Sequence, residues 1–85
     1  MIIKVFGADN CAGCKTVKRV LQEKWELNDD LVVQSFDVNK HDGMEEAMTY
    51  NVRSIPTMVV EDGAGTHAYV GEKNCLQGIA AHLEA

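Results

Sequence analysis

The chain has few of the residues that mark a linker, a membrane segment or a nucleic-acid-binding surface. Its 85 residues contain a single proline, and no repeat, low-complexity tract or interdomain linker divides them. No apolar run approaches the roughly 20 residues that cross a bilayer, and the N-terminus lacks a basic segment leading into a signal-like core. The net charge of −5 argues against nucleic acid as a partner. We therefore expect one small domain over residues 1–85, in the cytoplasm and away from membranes.

Cysteine is also scarce, yet two of the three cysteines form the most informative pattern in the chain. Cys11 and Cys14 directly follow an apolar run and directly precede an amphipathic, helix-like stretch. Thiols one helical turn apart can form a disulfide, and the dipole and N–H groups of a helix start favour a thiolate on the first of them. Helical phase places Cys14 on the apolar stripe and leaves Cys11 facing solvent. We therefore assign Cys11 as a nucleophile towards substrate disulfides and Cys14 as the resolving thiol.

Two other interpretations of the pair stay open on the residues alone. In the first, the two cysteines supply half of a zinc site. Zinc takes four ligands, however, and the other candidate ligands are scattered along the chain: Cys75, His41, His67 and His82. Inert packing cysteines are the other, which fits poorly with a helix start near Lys15 and Lys18. These lysines would favour a thiolate on Cys11, unless they only form a solvated helix face. We expect no bound metal or other cofactor.

Cys75 also follows a predicted helix cap. A cysteine in that place is more often a small packing residue than a reactive thiol. A second reactive thiol at a helix start is the alternative.

The alternation of apolar and turn residues predicts the element order β-α-β-α-β-β-α. The predicted strands cover residues 2–6, 31–38, 57–61 and 66–70, and the predicted helices cover 11–26, 42–50 and 74–83. We expect the first two strands to be parallel through a right-handed crossover, and the last two to form an antiparallel hairpin at the edge. The fold class is therefore α/β, with a four-stranded mixed sheet flanked by helices.

Helix ends and core positions follow from the same pattern. Asp42 with Glu45, and Asn74 with Gln77, are predicted to cap the second and third helices. Asn51 is predicted to close the second helix in the left-handed conformation. Four large side chains are predicted to lie in the core: Trp25, Met44, Met48 and Met58.

The single proline is the second informative position. Pro56 precedes an apolar strand, and it could simply mark the first strand position, where no ladder donor is needed. A cis Ile55–Pro56 bond would instead present the Ile55 backbone to an incoming extended peptide. Both interpretations stay open on the residues alone.

Together, the cysteine pair and the proline segment resemble the thioredoxin superfamily. Residues 50–57 (Tyr-Asn-Val-Arg-Ser-Ile-Pro-Thr) resemble the thioredoxin stretch that contains the cis-proline, and Val70 with Gly71 resembles the valine-glycine after the last strand. The resemblance runs over residues 2–83, and it implies a single thioredoxin-like domain and a disulfide oxidoreductase. It implies that Cys11 attacks, Cys14 resolves and a cis-Pro56 faces them. The substrate groove that it implies is formed by Asn10, Ala12, Gly13, Ile55, Pro56, Val70 and Gly71.

The chain also departs from the family pattern. It lacks the extra N-terminal strand and helix of full-length thioredoxins, so its size resembles that of glutaredoxins and of short archaeal or phage thioredoxins. Asn10 stands where a tryptophan is usual, and no proline lies between the cysteines. Val5 stands where many thioredoxins keep a buried carboxylate, and Asp9 is expected to be a solvated loop residue.

The resemblance implies a monomer that reduces disulfides in partner proteins. Ribonucleotide reductase is a family-level target, and a thioredoxin reductase or a similar flavoprotein is the implied electron donor. A glutaredoxin-like enzyme fed by glutathione is one alternative, although Asp9 and Glu72 would repel an anionic tripeptide. A thioredoxin-fold binding module without redox turnover is the other.

Overall fold

The computed structural model describes residues 1–83, which form four strands and three helices in the predicted order. The elements are β1 (Ile2–Gly7), α1 (Ala12–Trp25), β2 (Val32–Asp37), α2 (His41–Thr49), β3 (Thr57–Asp62), β4 (Gly65–Val70) and α3 (Glu72–Leu83). Each predicted boundary lies within two residues of the observed one. None of these helices is long and apolar enough to cross a bilayer. The single domain over residues 1–85 stays a prediction, since residues 84 and 85 lie outside the described part.

The four strands form one mixed sheet in the order β2-β1-β3-β4. As predicted, β1 is parallel to β2, and β3 and β4 form an antiparallel hairpin at the edge. The strand β3 is also antiparallel to β1, with Phe6 opposite Thr57, and Thr57 is in turn opposite Val70. Therefore the last residues of β1, the first residues of β3 and the last residues of β4 lie side by side, at the same end of the sheet. The cysteine motif, the proline and the Val70–Gly71 pair are all attached there.

The helices bury apolar side chains on both faces of the sheet. Helices α1 and α3 pack on one face of the sheet and form the larger cluster with it. This cluster consists of Ile3, Val5, Val17, Leu21, Leu31, Met58, Val60, Cys75 and Ile79. On the other face, Phe6, Ala47 and Val59 form a smaller cluster with partly buried aromatic and aliphatic neighbours. Val5 is 1% exposed, so an apolar side chain occupies the position where many thioredoxins keep a carboxylate.

A polar contact attaches α2 to the central strand. The Lys4 ammonium donates hydrogen bonds to Glu46 and to the Tyr50 hydroxyl, both at 2.7 Å. Both bonds stabilise the charged form of Lys4, and the bond to Glu46 has the larger effect. The pKa of Lys4 is therefore raised above its usual range. The contact holds the end of α2, from which the chain continues to the proline segment.

Three of the four predicted core side chains are exposed instead. Trp25 is 41% exposed at the last residue of α1, where its indole N–H donates to the Leu31 carbonyl at 3.0 Å. Met44 and Met48 are 48% and 73% exposed, because α2 packs through the small residues Gly43 and Ala47. A Cβ on Gly43 would overlap the Asp37 backbone. The next residues along this short helix therefore face outward, whereas Met58 in β3 is buried as predicted.

The two predicted helix caps were wrong. Helix α2 begins after Lys40, whose side chain makes no capping bond, so Asp42 lies inside the first turn. Helix α3 begins at Glu72, since the Cys75 N–H already bonds the Gly71 carbonyl at 2.9 Å. Asn74 lies within α3 and donates to the Val70 carbonyl. Asn51 does adopt a positive φ of 57°, as predicted for the residue that closes α2.

Candidate active site

Cys11 caps α1 through its sulfur. The chain leaves β1 at Gly7 and turns through a hydrogen bond from the Cys11 N–H to the Ala8 carbonyl at 3.3 Å. Cys11 itself is extended, with φ −113° and ψ 107°, and its Sγ accepts a hydrogen bond from the Cys14 N–H at 3.1 Å. A serine or threonine oxygen commonly holds this N–H at a helix start. Here the Cys14 N–H and the positive end of the helix dipole are directed at the Cys11 sulfur, where they stabilise a thiolate when the cysteine is reduced.

Cys11 and Cys14 are joined in a disulfide, with their Cα atoms 5.2 Å apart. Cys14 is 1% exposed and faces the core together with Val17 and Leu21, whereas Cys11 is half-buried. The prediction from helical phase is therefore confirmed. Of the two residues, Cys11 is the one that a partner can approach from solvent.

Gly7 provides the space for Cys14, a role that the sequence analysis missed. A Cβ on Gly7 would lie 3.0 Å from both Cβ and Sγ of Cys14, closer than side-chain carbons normally approach. The absence of a side chain lets Cys14 pack directly on the last residue of β1. A glycine ending a buried strand just before a Cys-x-x-Cys motif was the available signal.

The proline segment lies at the start of β3. The Ile55–Pro56 bond is cis, as the family resemblance implies. The Pro56 carbonyl accepts a hydrogen bond from the Gly71 N–H at 2.8 Å, which places Gly71 and the preceding Val70 beside the proline. Pro56 is buried and Ile55 half-buried, while Val70 is 51% exposed. An apolar surface therefore borders the buried proline.

The cysteine motif and the proline segment meet at Gly13. A Cβ built on Gly13 would lie 3.5 Å from Pro56 Cδ and 3.0 Å from Glu72 Oε1. The structure therefore brings together the disulfide, Gly13, Pro56 and Gly71. Ala12 is exposed in the first turn of α1, and Asn10 is exposed in the loop before it.

Charged side chains surround this site. Lys15 and Lys18 are exposed on α1, and Asp9 is exposed in the preceding loop, as expected. Glu72 adds a carboxylate directly beside the motif, a position that its place in the sequence does not indicate. Within residues 1–83, no group of three or more His, Cys, Asp or Glu side chains is placed to hold a metal ion.

Cys75 is a packing residue, and the alternative of a second reactive thiol is not supported. It is 0% exposed, and its thiol donates to the Tyr69 carbonyl at 3.3 Å. Burial raises the pKa of Cys75 to about 11. A thiol with that pKa stays protonated and unreactive at neutral pH.

Known proteins resemble this chain in sequence and in fold. A family model described as a thioredoxin domain matches residues 1–82. The thioredoxin of Mycolicibacterium smegmatis is 40% identical over 70 residues, covering 80% of this chain and 62% of that protein. The thioredoxin of Bacillus subtilis (strain 168) is 36% identical over 75 residues, covering 86% of this chain and 70% of that protein. This chain thus spans about three fifths of the length of the M. smegmatis protein.

The solved structure of Trichomonas vaginalis thioredoxin matches with a TM-score of 0.75 and 27% sequence identity. The match covers 98% of this chain and 76% of that one. The arrangement of sheet and helices described above is therefore also found in an experimentally determined thioredoxin.

Proposed function

Since the chain belongs to the thioredoxin family, we propose that it is a dithiol–disulfide oxidoreductase that reduces disulfides in partner proteins. One observation carries the proposal: an accessible Cys11 is paired with a buried Cys14 at the start of α1, beside Pro56. This arrangement has one sulfur that a substrate can approach and a second one within bonding reach. A two-step exchange of disulfides requires both.

The reaction follows from the positions of the two sulfur atoms. In the reduced protein, the Cys11 thiolate attacks one sulfur of the substrate disulfide, and a mixed disulfide forms as the other substrate sulfur leaves as a thiolate. The Cys14 thiolate then attacks Cys11 Sγ, which restores the disulfide and releases the second substrate thiolate. Two electrons pass from the protein to the substrate, whose sulfurs take up two protons. The Cys14 N–H, which bonds Cys11 Sγ at 3.1 Å, stabilises the charge on the attacking sulfur.

The proposed substrate groove surrounds the Cys11 sulfur on two sides. Asn10, Ala12 and Gly13 form the side that belongs to α1 and its preceding loop. Ile55, Pro56, Val70 and Gly71 form the opposite side. The short approach of Gly13 to Pro56 and the hydrogen bond from Gly71 to Pro56 support this assignment.

The electron donor in this proposal is a thioredoxin reductase or a similar flavoprotein. The acceptors are proteins with accessible disulfides, ribonucleotide reductase among them, and the chain works as a monomer without a bound cofactor. We place it in the cytoplasm, where reducing systems keep such a dithiol reduced. The likeness to thioredoxins and the half-buried position of Cys11, within reach of a partner, support disulfide-containing proteins as substrates.

A redox titration tests the proposal, with thiol labelling followed separately at Cys11 and Cys14. We expect one two-electron couple at about −230 mV or lower, in the range of cytosolic reductants. The Cys75→Ala variant is the control, and it should show the same couple because Cys75 is buried away from solvent. A couple near −150 mV would assign the protein to oxidation or isomerisation instead. The absence of any couple would contradict redox function and favour a binding module.

A further inference from the structure

The carboxylate of Glu72 lies against the cysteine motif. A Cβ on Gly13 would come within 3.0 Å of Glu72 Oε1 and 3.3 Å of Glu72 Cβ. Because Gly13 has no side chain, no atom beyond its backbone lies between this carboxylate and the chain that connects the two cysteines. Gly13 also faces Pro56, so Glu72 lies where the two sides of the proposed groove meet.

The backbone holds Glu72 in this place. Gly71 has a positive φ of 91°, which glycine adopts without strain, and its N–H is bonded to the Pro56 carbonyl. Its carbonyl accepts the first hydrogen bond of α3, from Cys75. Glu72 is therefore attached directly to a residue whose backbone is bonded on both sides.

The charge of Glu72 is exposed towards the groove. The side chain is exposed, and within residues 1–83 no Lys, Arg or His forms an ion pair with it. A carboxylate in such a place attracts a cationic group on an approaching substrate and repels an anionic one. The effect extends over about one Debye length, roughly 8–10 Å in physiological salt.

We propose that Glu72 makes this groove selective for disulfides next to basic residues, and selects against anionic disulfides such as that of glutathione. This inference rests on the proposed function, because it concerns the choice of substrate at the same site. It assigns Glu72 as a specificity-determining residue that acts through its charge.

Glu72 also has an ordinary structural role, which the test must separate from specificity. An acid in the first turn of a helix interacts favourably with the helix dipole, and Glu72 occupies the first residue of α3. Asp42 has the same role in the first turn of α2, which packs on the other face of the sheet. Asp42→Asn is therefore a matched control for Glu72→Gln, since each variant removes one negative charge from one helix start.

The first measurement compares kcat/KM for two peptide disulfides that differ only in carrying Lys or Glu beside each cysteine. The unmodified protein and Asp42→Asn should prefer the Lys peptide by the same factor, and Glu72→Gln should reduce that factor roughly threefold, as for a solvent-exposed charge pair. The difference should shrink in 0.5 M salt because the charges are screened. An unchanged preference in Glu72→Gln, or an equal loss in Asp42→Asn, would overturn the proposal.

A second measurement does not depend on turnover. Reduced Cys11 is alkylated by neutral iodoacetamide and by anionic iodoacetate, and the ratio of the two rates is compared between variants. Any change in the amount of thiolate affects both reagents equally, so the ratio reports only the charge near Cys11. We expect the preference for iodoacetamide to fall roughly threefold in Glu72→Gln, and an unchanged ratio would overturn the proposal. If the ratio changes while neither peptide is reduced, the charge assignment holds and the oxidoreductase function fails.

Discussion

Cys11 and Cys75 both lie near a helix start, yet only Cys11 is available for reaction. Cys11 is half-buried at the N-cap of α1 and accepts an N–H bond, while Cys75 is the fourth residue of α3 and is 0% exposed. A helix dipole contributes about 0.3–1 kcal/mol to a nearby charge. The rise of the Cys75 pKa from 9.0 to about 11 corresponds to about 2–3 kcal/mol. Desolvation therefore outweighs the dipole, and accessibility decides which of the two thiols reacts.

Cys14 shows that burial alone does not make a thiol inert. It is 1% exposed, almost as buried as Cys75, but it lies one helical turn from Cys11 and is bonded to it. Cys75 has no disulfide partner among residues 1–83. A buried thiol can therefore take part in exchange when an accessible sulfur is within reach.

The largest effect should come from removing the accessible thiol. Cys11→Ser replaces the attacking sulfur with a hydroxyl, which is far less nucleophilic and ionises only at much higher pH. We expect reduction of a protein disulfide to fall by more than about 10³-fold, as for loss of other catalytic nucleophiles. The Cys75→Ala variant should keep the rate of the unmodified protein. Retention of disulfide reduction in Cys11→Ser would show that the site is elsewhere.

Removing the buried partner should stop the reaction at its second step. In Cys14→Ser, Cys11 still attacks a substrate disulfide, but no sulfur remains to resolve the mixed disulfide. We expect a covalent one-to-one complex with a protein substrate, visible by intact mass and released by a small thiol reductant.

The same variant separates the two enzymatic alternatives. Turnover with thioredoxin reductase as donor should be lost in Cys14→Ser. Turnover with glutathione at nearly the rate of the unmodified protein would instead favour a monothiol, glutaredoxin-like reaction.

A smaller effect is expected from Cys75, and it concerns stability. Cys75→Ala removes a fully buried sulfur atom and leaves a small cavity between α3 and the sheet. We expect the free energy of unfolding to fall by about 1–2 kcal/mol, measured by urea denaturation at pH 7, with the redox couple unchanged. A shift of that couple would mean that Cys75 is linked to the site after all.

The pH dependence of stability should show the smallest effect. Below pH 9 the Cys75 thiol is neutral in both the folded and the unfolded chain, so its contribution to stability is fully present. Above pH 9 the unfolded chain loses this proton first, since the folded pKa is about 11. Between pH 8 and pH 10 the unmodified protein should lose about 1 kcal/mol more stability than Cys75→Ala. Parallel losses in the two proteins would contradict the raised pKa.

Local sequence patterns predicted most of the fold and the position of Cys11 and Cys14 at the start of a helix. Strand alternation and helical spacing depend on neighbouring residues, so the element order and the burial of Cys14 followed from the sequence. Predictions failed where packing decided instead. Met44 and Met48 are exposed because Gly43 and Ala47 bring α2 against the sheet, and α3 begins before Asn74 because Gly71 is bonded to Pro56.

The sequence by itself determined the seven elements, the Cys-x-x-Cys motif at a helix start and the likeness to thioredoxins. Only the tertiary structure decided that Glu72 lies beside Gly13. Glu72 begins α3 and Gly13 lies in α1, so the two residues belong to separate helices that are far apart along the chain. Their contact depends on the antiparallel pairing of β3 with both β1 and β4, which brings the start of α3 to the start of α1. No local pattern of residues contains that information, because it arises from the order of strands in the sheet.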